Sequence, residues 1–491
     1  MSIGAKRSVL GQGIGPTRPI ESYKRMKWDN IILNGTIVTP EKSFNGNVYI
    51  KNEKIAAISS EYLPGETAHT TDATGLHVLP GLIDTHVHSR DGGAPEKEDF
   101  FHSTQAAAVG GLTTIFEMPN TIPAISDVEK FKNQIKNLTP KAHVDFAIWG
   151  LCLGRLNNKD LAALANAGVI AFKYFWGYAI TKDSHQLIYN YGKKSTNVIP
   201  ALRDGEIYEI FEEVAKTGKL LAIHAENSEL IELFSTRMQK TSDLTYKEFL
   251  KSRPNIAEET AVQTAISFAK NSGLNLHILH ASTREAIELV RTAQKQGYPI
   301  TVETCPHYLF LDDEDFNELG PKMKVYPLIK CSADQEMLWN GINEGIISLV
   351  CSDHAPHTKK EKEGALWEIP AGMCGVETLV PMMLHAVNTG RISLNQLVSL
   401  LSKNPAQLFR IYPQKGSLQV GTDADITLID MNKKFTIREN ELHSIGKITA
   451  FDGMTVQGMP VGTIVRGNYV MREGTLVSKP FGKIVISNHG A

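Results

Sequence analysis

Few cysteines and no long apolar run characterise the sequence, and these absences exclude several protein classes. Five cysteines among 491 residues, none in a CxxC pair, argue against a disulfide framework or a thiolate zinc site. No stretch approaches the roughly 20 apolar residues of a membrane span. The 51 basic and 53 acidic side chains nearly cancel, so the net charge indicates neither nucleic acid nor a membrane as partner. We therefore expect a small-molecule substrate and a reducing, cytoplasmic location.

Both ends of the chain contain short β-type runs, and this pattern differs from that of the middle. The first 27 residues are glycine-rich and basic without the apolar segment of a secretion signal, and we predict a flexible extension over 1–27. Short β-type runs follow from Ile31 and return near the end in "ADITLIDMNKKFTI" and "GTIVRGNYVMREGTLV". These runs predict one small β-sandwich domain built from 28–78 and 415–480. A tail over 481–491 is a candidate contact to a neighbouring subunit.

The middle of the chain, 79–414, alternates apolar strands with helical patterns. Two of the helices are predicted over 256–273 and 283–297. Eight alternations of this kind predict an α/β fold, a (β/α)8 barrel of the TIM type, whose active site lies at the C-terminal ends of its strands. The eight candidate strands cover 81–88, 111–120, 143–150, 169–175, 220–227, 274–280, 299–307 and 346–354.

Polar side chains occur where these predicted strands end. His86 and His88 are two residues apart on the first strand, so both imidazoles project from one face and can share a cation. His224, His280 and Asp353 end the fifth, sixth and eighth strands. A lone histidine at a strand end is more often a structural residue, but convergent nitrogen and carboxylate ligands suit zinc or another divalent metal.

Lys173 in "IAFKYFWGY" places an amine in an apolar strand, where an unpaired charge is costly. One interpretation is a lysine paired with a carboxylate near the barrel mouth. The other is that the desolvated amine loses its proton readily and reacts with carbon dioxide, giving a carbamate that bridges two cations. The spacing of the sequence leaves both open.

Seven motifs together resemble the cyclic amidohydrolases of the amidohydrolase superfamily, which include dihydroorotases, hydantoinases with dihydropyrimidinases, and allantoinases. The resemblance covers about residues 30 to 480 and rests on "PGLIDTHVHSR", "EMPNT", "FKYF", "HAEN", "ILHAST", "ETCPHYL" and "SDHAPHTKKEKEG".

This resemblance implies a binuclear metal centre, with zinc as the expected metal. One ion is expected to bind His86, His88, carboxylated Lys173 and Asp353, and the other the same lysine, His224 and His280. Homo-oligomers, as dimers or tetramers, are common in such proteins. Two cations would generate hydroxide from water and polarise an amide carbonyl. Asp353 is then placed to take a proton and return it to the departing nitrogen, so the ring opens by hydrolysis.

The residues that would determine which ring is hydrolysed match different subgroups of these proteins. Arg90, Asn120 and His357 match the dihydroorotase pattern, in which they hold a substrate carboxylate. Structural interpretations are that Arg90 pairs with Asp91 or Glu96, and that Asn120 caps a turn.

Other positions favour the hydantoinases or depart from both groups. Tyr178, five residues after Lys173, resembles the hydantoinase tyrosine that donates to the developing oxyanion. Four residues differ from one or both patterns: Tyr326, Leu328, Lys330 and Ala371.

A dihydroorotase-like hydrolase with a carboxylate-bearing substrate is the first hypothesis. The alternatives are a hydantoinase, dihydropyrimidinase or allantoinase, and a catalytically silent scaffold homologue. A silent homologue would be expected to lose metal ligands, whereas every ligand position is filled here.

Overall fold

A closed ring of parallel strands forms the central part of the chain. The computed structural model describes residues 20–188, 197–238 and 245–487. Each predicted barrel strand is present in a shorter form, because only the residues that pair with a neighbour on the ring count as strand. The barrel strands are Leu82–Val87, Leu112–Glu117, Asp145–Ile148, Phe172–Trp176, Leu221–Ala225, Leu276–Ile278, Ile300–Thr304 and Leu349–Val350.

Parallel pairing runs from the first strand to the third and from the third, through Gly150–Leu151, to the eighth. A bridge between Val87 and His354 joins the eighth strand to the first. The ring is therefore complete, and the predicted fold class is confirmed. All eight strand ends meet on one face, which is where the predicted ligands occur in the sequence.

Helices follow the strands and cover the outside of the barrel. The predicted helices over 256–273 and 283–297 are observed as Asn255–Ser272 and Arg284–Lys295. No helix in the described parts of the chain is long and apolar enough to cross a membrane. The other α-helices are Phe100–Val109, Val128–Leu138, Leu161–Ala167, Asp204–Thr217, Ser228–Met238, Tyr246–Leu250, Pro306–Phe310, Phe316–Leu319, Ser332–Asn343, Leu379–Asn388, Leu394–Val398 and Asn404–Leu408.

The small domain takes strands from both ends of the chain, and hydrogen bonds link them into a single sheet. Its apolar core joins Ile32, Val78, Ile426 and Ile464, so neither end can bury its apolar face without the other. The strands are Asn30–Val38, Ser43–Lys51, Lys54–Ser59, Thr70–Asp72, His77–Pro80, Ile426–Thr436, Thr455–Val465, Asn468–Arg472 and Thr475–Leu476.

The two predicted terminal extensions are ordered where they are described. The first nineteen residues of the predicted extension over 1–27 lie outside the described residues. Beyond them Tyr23 is buried and stacks on Trp28 at 6.0 Å between ring centroids, so this part belongs to the small domain.

The tail pairs with its own barrel where it is described, up to residue 487. Phe146 on the third strand donates its N–H to the Lys483 carbonyl at 3.0 Å and accepts from the Val485 N–H at 2.6 Å. Further along this edge, Ile148 and Gly150 bond to Ile170 and Ala171, which lead into the fourth strand. The tail therefore fills the lower part that the fourth strand leaves open. A contact of this segment with a neighbouring subunit stays a prediction. Residues 488–491 lie outside the described part.

A buried charge cluster ties this lower end of the barrel to the small domain. The Lys415 ammonium lies 2.5 Å from an Asp145 oxygen and 2.6 Å from an Asp425 oxygen, and Arg466 also pairs with Asp145. Each of these charges is buried, and each has an opposite charge in contact, which is the condition under which buried ions are tolerated.

Candidate metal centre and substrate cavity

The predicted metal ligands converge at the C-terminal end of the barrel. The ligand atoms of His86, His88 and Asp353 all lie within 4.8 Å of one another. Nε2 of His86 is 3.2 Å, and Nε2 of His88 3.6 Å, from the same Asp353 oxygen. Burial alone would raise the pKa of Asp353, but the adjacent histidines hold it well below its usual value. The carboxylate is therefore ionised and available as a ligand or a base.

A second pair of nitrogens faces the same cavity. Nδ1 of His224 lies 3.0 Å from Nε2 of His280. Burial lowers the pKa of both imidazoles, so both are neutral and present lone pairs. Two imidazole lone pairs at this separation can be shared by one cation at ordinary zinc–nitrogen distances of about 2.0–2.1 Å.

Lys173 is fully buried on the fourth strand, next to these ligands. Its Nζ has no hydrogen-bond partner within the described residues and lies 4.4 Å from the centroid of the Phe175 ring. Burial lowers the pKa of the amine to about 7, although Asp353 and Glu303 partly oppose the shift. The alternative of a lysine paired with a carboxylate is not the observed arrangement. Buried polar groups normally have a hydrogen-bond partner, so an unpartnered buried amine is consistent with a lysine whose nitrogen is modified by the addition of further atoms.

Positive φ angles occur at three of the predicted site residues. Arg90, His280 and Asp353 have φ values of 60°, 35° and 47°. Residues other than glycine rarely adopt this region, and the cost is of order 1–3 kcal/mol each. The surrounding structure therefore holds these three side chains in orientations that a relaxed backbone would not give.

Two carboxylates that sequence reasoning missed fix the imidazoles. Glu303, on the seventh strand, accepts from Nδ1 of His86 at 2.8 Å and from Nε2 of His277 at 3.0 Å. Glu226 accepts from Nε2 of His224 at 2.9 Å. Such partners set the tautomer of a metal-binding histidine and turn its other nitrogen to the metal. The only sequence signal was a buried acid inside "VETC" and "HAEN".

Asn120 and Tyr178 also reach the predicted ligands. The Asn120 side-chain oxygen lies 2.7 Å from Nδ1 of His88, so this residue orients the imidazole as well as lining the adjoining cleft. The Tyr178 hydroxyl is 3.0 Å from Nε2 of His224 and faces the cavity. Both residues therefore lie within one side-chain length of the candidate metal site.

Arg90 lies at the mouth of the cavity and also lines the adjoining cleft. Asp91, one of its suggested partners, is paired instead with Lys141 at 2.7 Å. No described residue, Glu96 included, forms a hydrogen bond or an ion pair with the Arg90 guanidinium, and its buried Nε has no acceptor. A charged group in this state is suited to an anion supplied from outside the protein.

His357 is buried next to the cavity wall. Its Nε2 bonds to the Ala371 carbonyl at 3.0 Å, and the side chain is buried behind the Ala371–Gly372 wall of the cavity without lining it. Burial lowers its pKa to about 4, so the ring is neutral near pH 7 and supplies no charge to a carboxylate. The ring does not line the cavity in this arrangement, and its part in a carboxylate pocket with Arg90 stays a prediction. The position of His357 in the sequence, two residues after Ala355, does not reveal the path of the loop that carries it.

Comparison with known proteins gives consistent matches over nearly the whole chain. Residues 77–470 match the amidohydrolase family. The chain is 34% identical over 464 residues to an L-hydantoinase of Paenarthrobacter aurescens, covering 93% of this chain and 98% of that protein. It is 35% identical over 434 residues to a dihydroorotase of Methanosphaera stadtmanae, covering 87% and 93%.

Solved structures agree with these sequence matches. An L-hydantoinase (dihydropyrimidinase) from Arthrobacter aurescens has a TM-score of 0.87 at 33% identity, covering 94% of this chain and all of that one. A D-hydantoinase has a TM-score of 0.84 at 30% identity, covering 93% and 98%.

Proposed function

The chain belongs to the amidohydrolase family, and we propose that it opens a cyclic amide ring that carries a carboxylate group, which Arg90 binds. Hydrolysis of cyclic amides is the activity that its relatives share by name, and the chain is an enzyme of this class. The silent-scaffold alternative is disfavoured, because all the predicted ligand side chains converge on one cavity.

The residues present fit two divalent ions, for which zinc is proposed. His86, His88 and Asp353 would hold one ion, His224 and His280 the other, and Lys173, carboxylated on its unpartnered nitrogen, would contribute to both. Such ions supply an acidic water near neutral pH and polarise the scissile carbonyl.

Protein groups would perform the remaining steps. Asp353, ionised and in contact with the cavity, accepts a proton from the attacking water and returns it to the departing ring nitrogen. Tyr178 donates its hydroxyl to the oxygen that becomes negative as the carbonyl carbon turns tetrahedral. Arg90 positions the substrate through its carboxylate, away from the reacting bond.

The metal proposal predicts about two divalent ions per chain in protein purified without chelator. His86→Ala and His280→Ala each remove one imidazole ligand, so both should lower metal content and activity together in elemental analysis and rate assays. His385→Ala, on the outer helix Leu379–Asn388, serves as a matched control and should keep the parent content. Full occupancy and full rate in both ligand variants would refute the centre.

The carboxylate proposal rests on the unpaired guanidinium of Arg90. Hydrogen bonds to charged groups contribute about 1.5–3 kcal/mol, so Arg90→Met should raise the Michaelis constant for an acidic ring about 10- to 100-fold. Neutral rings should be affected little. Steady-state assays of dihydroorotate, hydantoin, dihydrouracil and allantoin in parallel provide the measurement. Arg284→Met, at an exposed arginine paired with Glu285, is the control.

A hydantoinase activity is the second candidate. It is supported by the position of Tyr178 on the cavity wall and by the orientation of His357 away from the cavity. This second function replaces the first if the parent enzyme prefers hydantoin or allantoin over every acid tested. It also does so if Arg90→Met changes the Michaelis constants of acidic and neutral rings equally.

A further inference from the structure

Tyr326 contributes an aromatic wall to the catalytic cavity, and none of the steps above uses it. It follows the seventh strand, lines the cavity together with Tyr178 and Ala371, and is only 8% exposed. A large planar side chain in this position limits the space beside the bound ring. How firmly it does so depends on what holds the phenol.

A buried arginine covers one face of this phenol. The Arg253 guanidinium carbon lies 3.6 Å from the Tyr326 ring centroid, which is close cation–π contact. Arg253 is 2% exposed and pairs with Glu226 at 2.5 Å, and the same Glu226 oxygen accepts from His224. Moving the guanidinium would take the contacting positive charge away from a buried carboxylate, which costs several kcal/mol. Arg253 is therefore held in place through Glu226, which also contacts the proposed metal ligand His224.

A buried lysine also lies near the phenol. Lys324 Nζ is 5.4 Å from the Tyr326 centroid and donates to the Leu366 and Ile369 carbonyls, each at 2.5 Å. The Lys324 carbonyl accepts from the Gly372 N–H at 2.9 Å. The lysine thus joins Tyr326 to the loop whose Ala371–Gly372 segment forms the neighbouring wall.

Beyond the proposed function on which it rests, we propose that Tyr326 determines substrate specificity, and that Arg253 and Lys324 are positioning residues that hold its ring rigid. The wall restricts the enzyme to small cyclic amides without a bulky substituent on the side facing Tyr326. Because both cations are buried and bonded elsewhere, the ring cannot move aside to admit a larger group.

The test compares two substrates, the ring that the parent hydrolyses fastest and the benzyl-substituted derivative of that ring. Removing the phenol in Tyr326→Ala should raise the ratio of kcat/KM for the benzyl derivative to that for the plain ring by about tenfold or more. Tyr326→Phe keeps the wall and should keep the ratio. Lys324→Met, which does not remove a cavity-lining group, should shift the ratio in the same direction with unchanged metal content.

Tyr246→Ala is the matched control, since this tyrosine is also buried, donates to the Ile329 carbonyl at 3.1 Å and does not line the cavity. Its ratio should equal that of the parent. Thermal melting establishes that each variant is folded, and Tyr326→Leu replaces the alanine variant if that one is not. A folded Tyr326→Ala or Tyr326→Leu with the parent ratio, or an equal shift in Tyr246→Ala, would overturn this inference alone. A parent that hydrolyses no cyclic amide would overturn the proposed function and this inference with it.

Discussion

Lys173→Ala is expected to abolish metal binding and turnover together. The carbamate proposed on Lys173 forms when the neutral amine adds carbon dioxide and releases one proton, and its two oxygens can reach two cations. Burial, which lowers the pKa of the amine to about 7, and the absence of any described partner for Nζ both favour the neutral form that reacts. Even outer partners of metal ligands contribute 10–100-fold in affinity, so losing a shared ligand should cost more than about 100-fold.

Elemental analysis and rate assays measure this effect, and a short carboxylic acid such as propionate should restore part of both by placing a free carboxylate between the cations. Lys219→Ala is the matched control, because Lys219 is another buried lysine whose pKa is lowered by burial, to about 8. It precedes the fifth strand at the opposite end of the barrel, bonded to Ser487. An active parent structure with an unmodified ammonium at Lys173, or full metal content in Lys173→Ala, would contradict the proposal.

Asp353→Asn should lower kcat by about 10²–10⁴-fold while the Michaelis constant changes little. Asparagine keeps the size of the side chain and one oxygen that can face the cation, but it cannot accept and return a proton. The loss should therefore occur in the chemical step and not in binding. Steady-state kinetics with the best substrate of the parallel assay, together with metal analysis of the variant, separate these two effects.

The same substitution at a distant carboxylate provides the comparison. Asp334 is buried and accepts from the Arg284 N–H and from the Asn255 amide, each at 3.0 Å, away from the cavity. Asp334→Asn should keep kcat within about threefold of the parent, because asparagine retains the oxygen that accepts both bonds and the residue lies away from the cavity. If Asp353→Asn were equally active, another group would have to move the proton.

Much of the barrel could be predicted from the sequence because its signals are local. Each strand is a short apolar run between turns, and parallel strands bring their C-terminal ends to one face whatever the details of packing. That rule alone predicts that the metal-ligand candidates converge, namely His86, His88, His224, His280 and Asp353. The strand bounds contracted most at the eighth strand, predicted over 346–354 and observed as Leu349–Val350.

The contacts that the sequence could not reveal join residues far apart along the chain. Glu303 meets His86 across 217 positions, and nothing near either residue specifies the other. Arg253 meets Tyr326 across two strands and their helices. His357 was assigned to the substrate because it matches the dihydroorotase pattern and follows Asp353 closely, yet the path of an irregular loop decides which face its ring presents.

The pairing of the tail with the third strand has a consequence for how the chain acquires its shape. The Lys483 N–H donates to the Asp145 side chain across 338 positions, and the adjoining backbone bonds of Phe146 with Lys483 and Val485 belong to the barrel wall itself. At synthesis rates of roughly 5–20 residues per second, on the order of 20 to 70 s separates the emergence of the two segments. Throughout that interval the lower edge of the third strand presents unpaired backbone groups, the condition under which strands associate with the wrong partner. A nascent barrel of this protein is thus open on one side until nearly all of the described chain has been made.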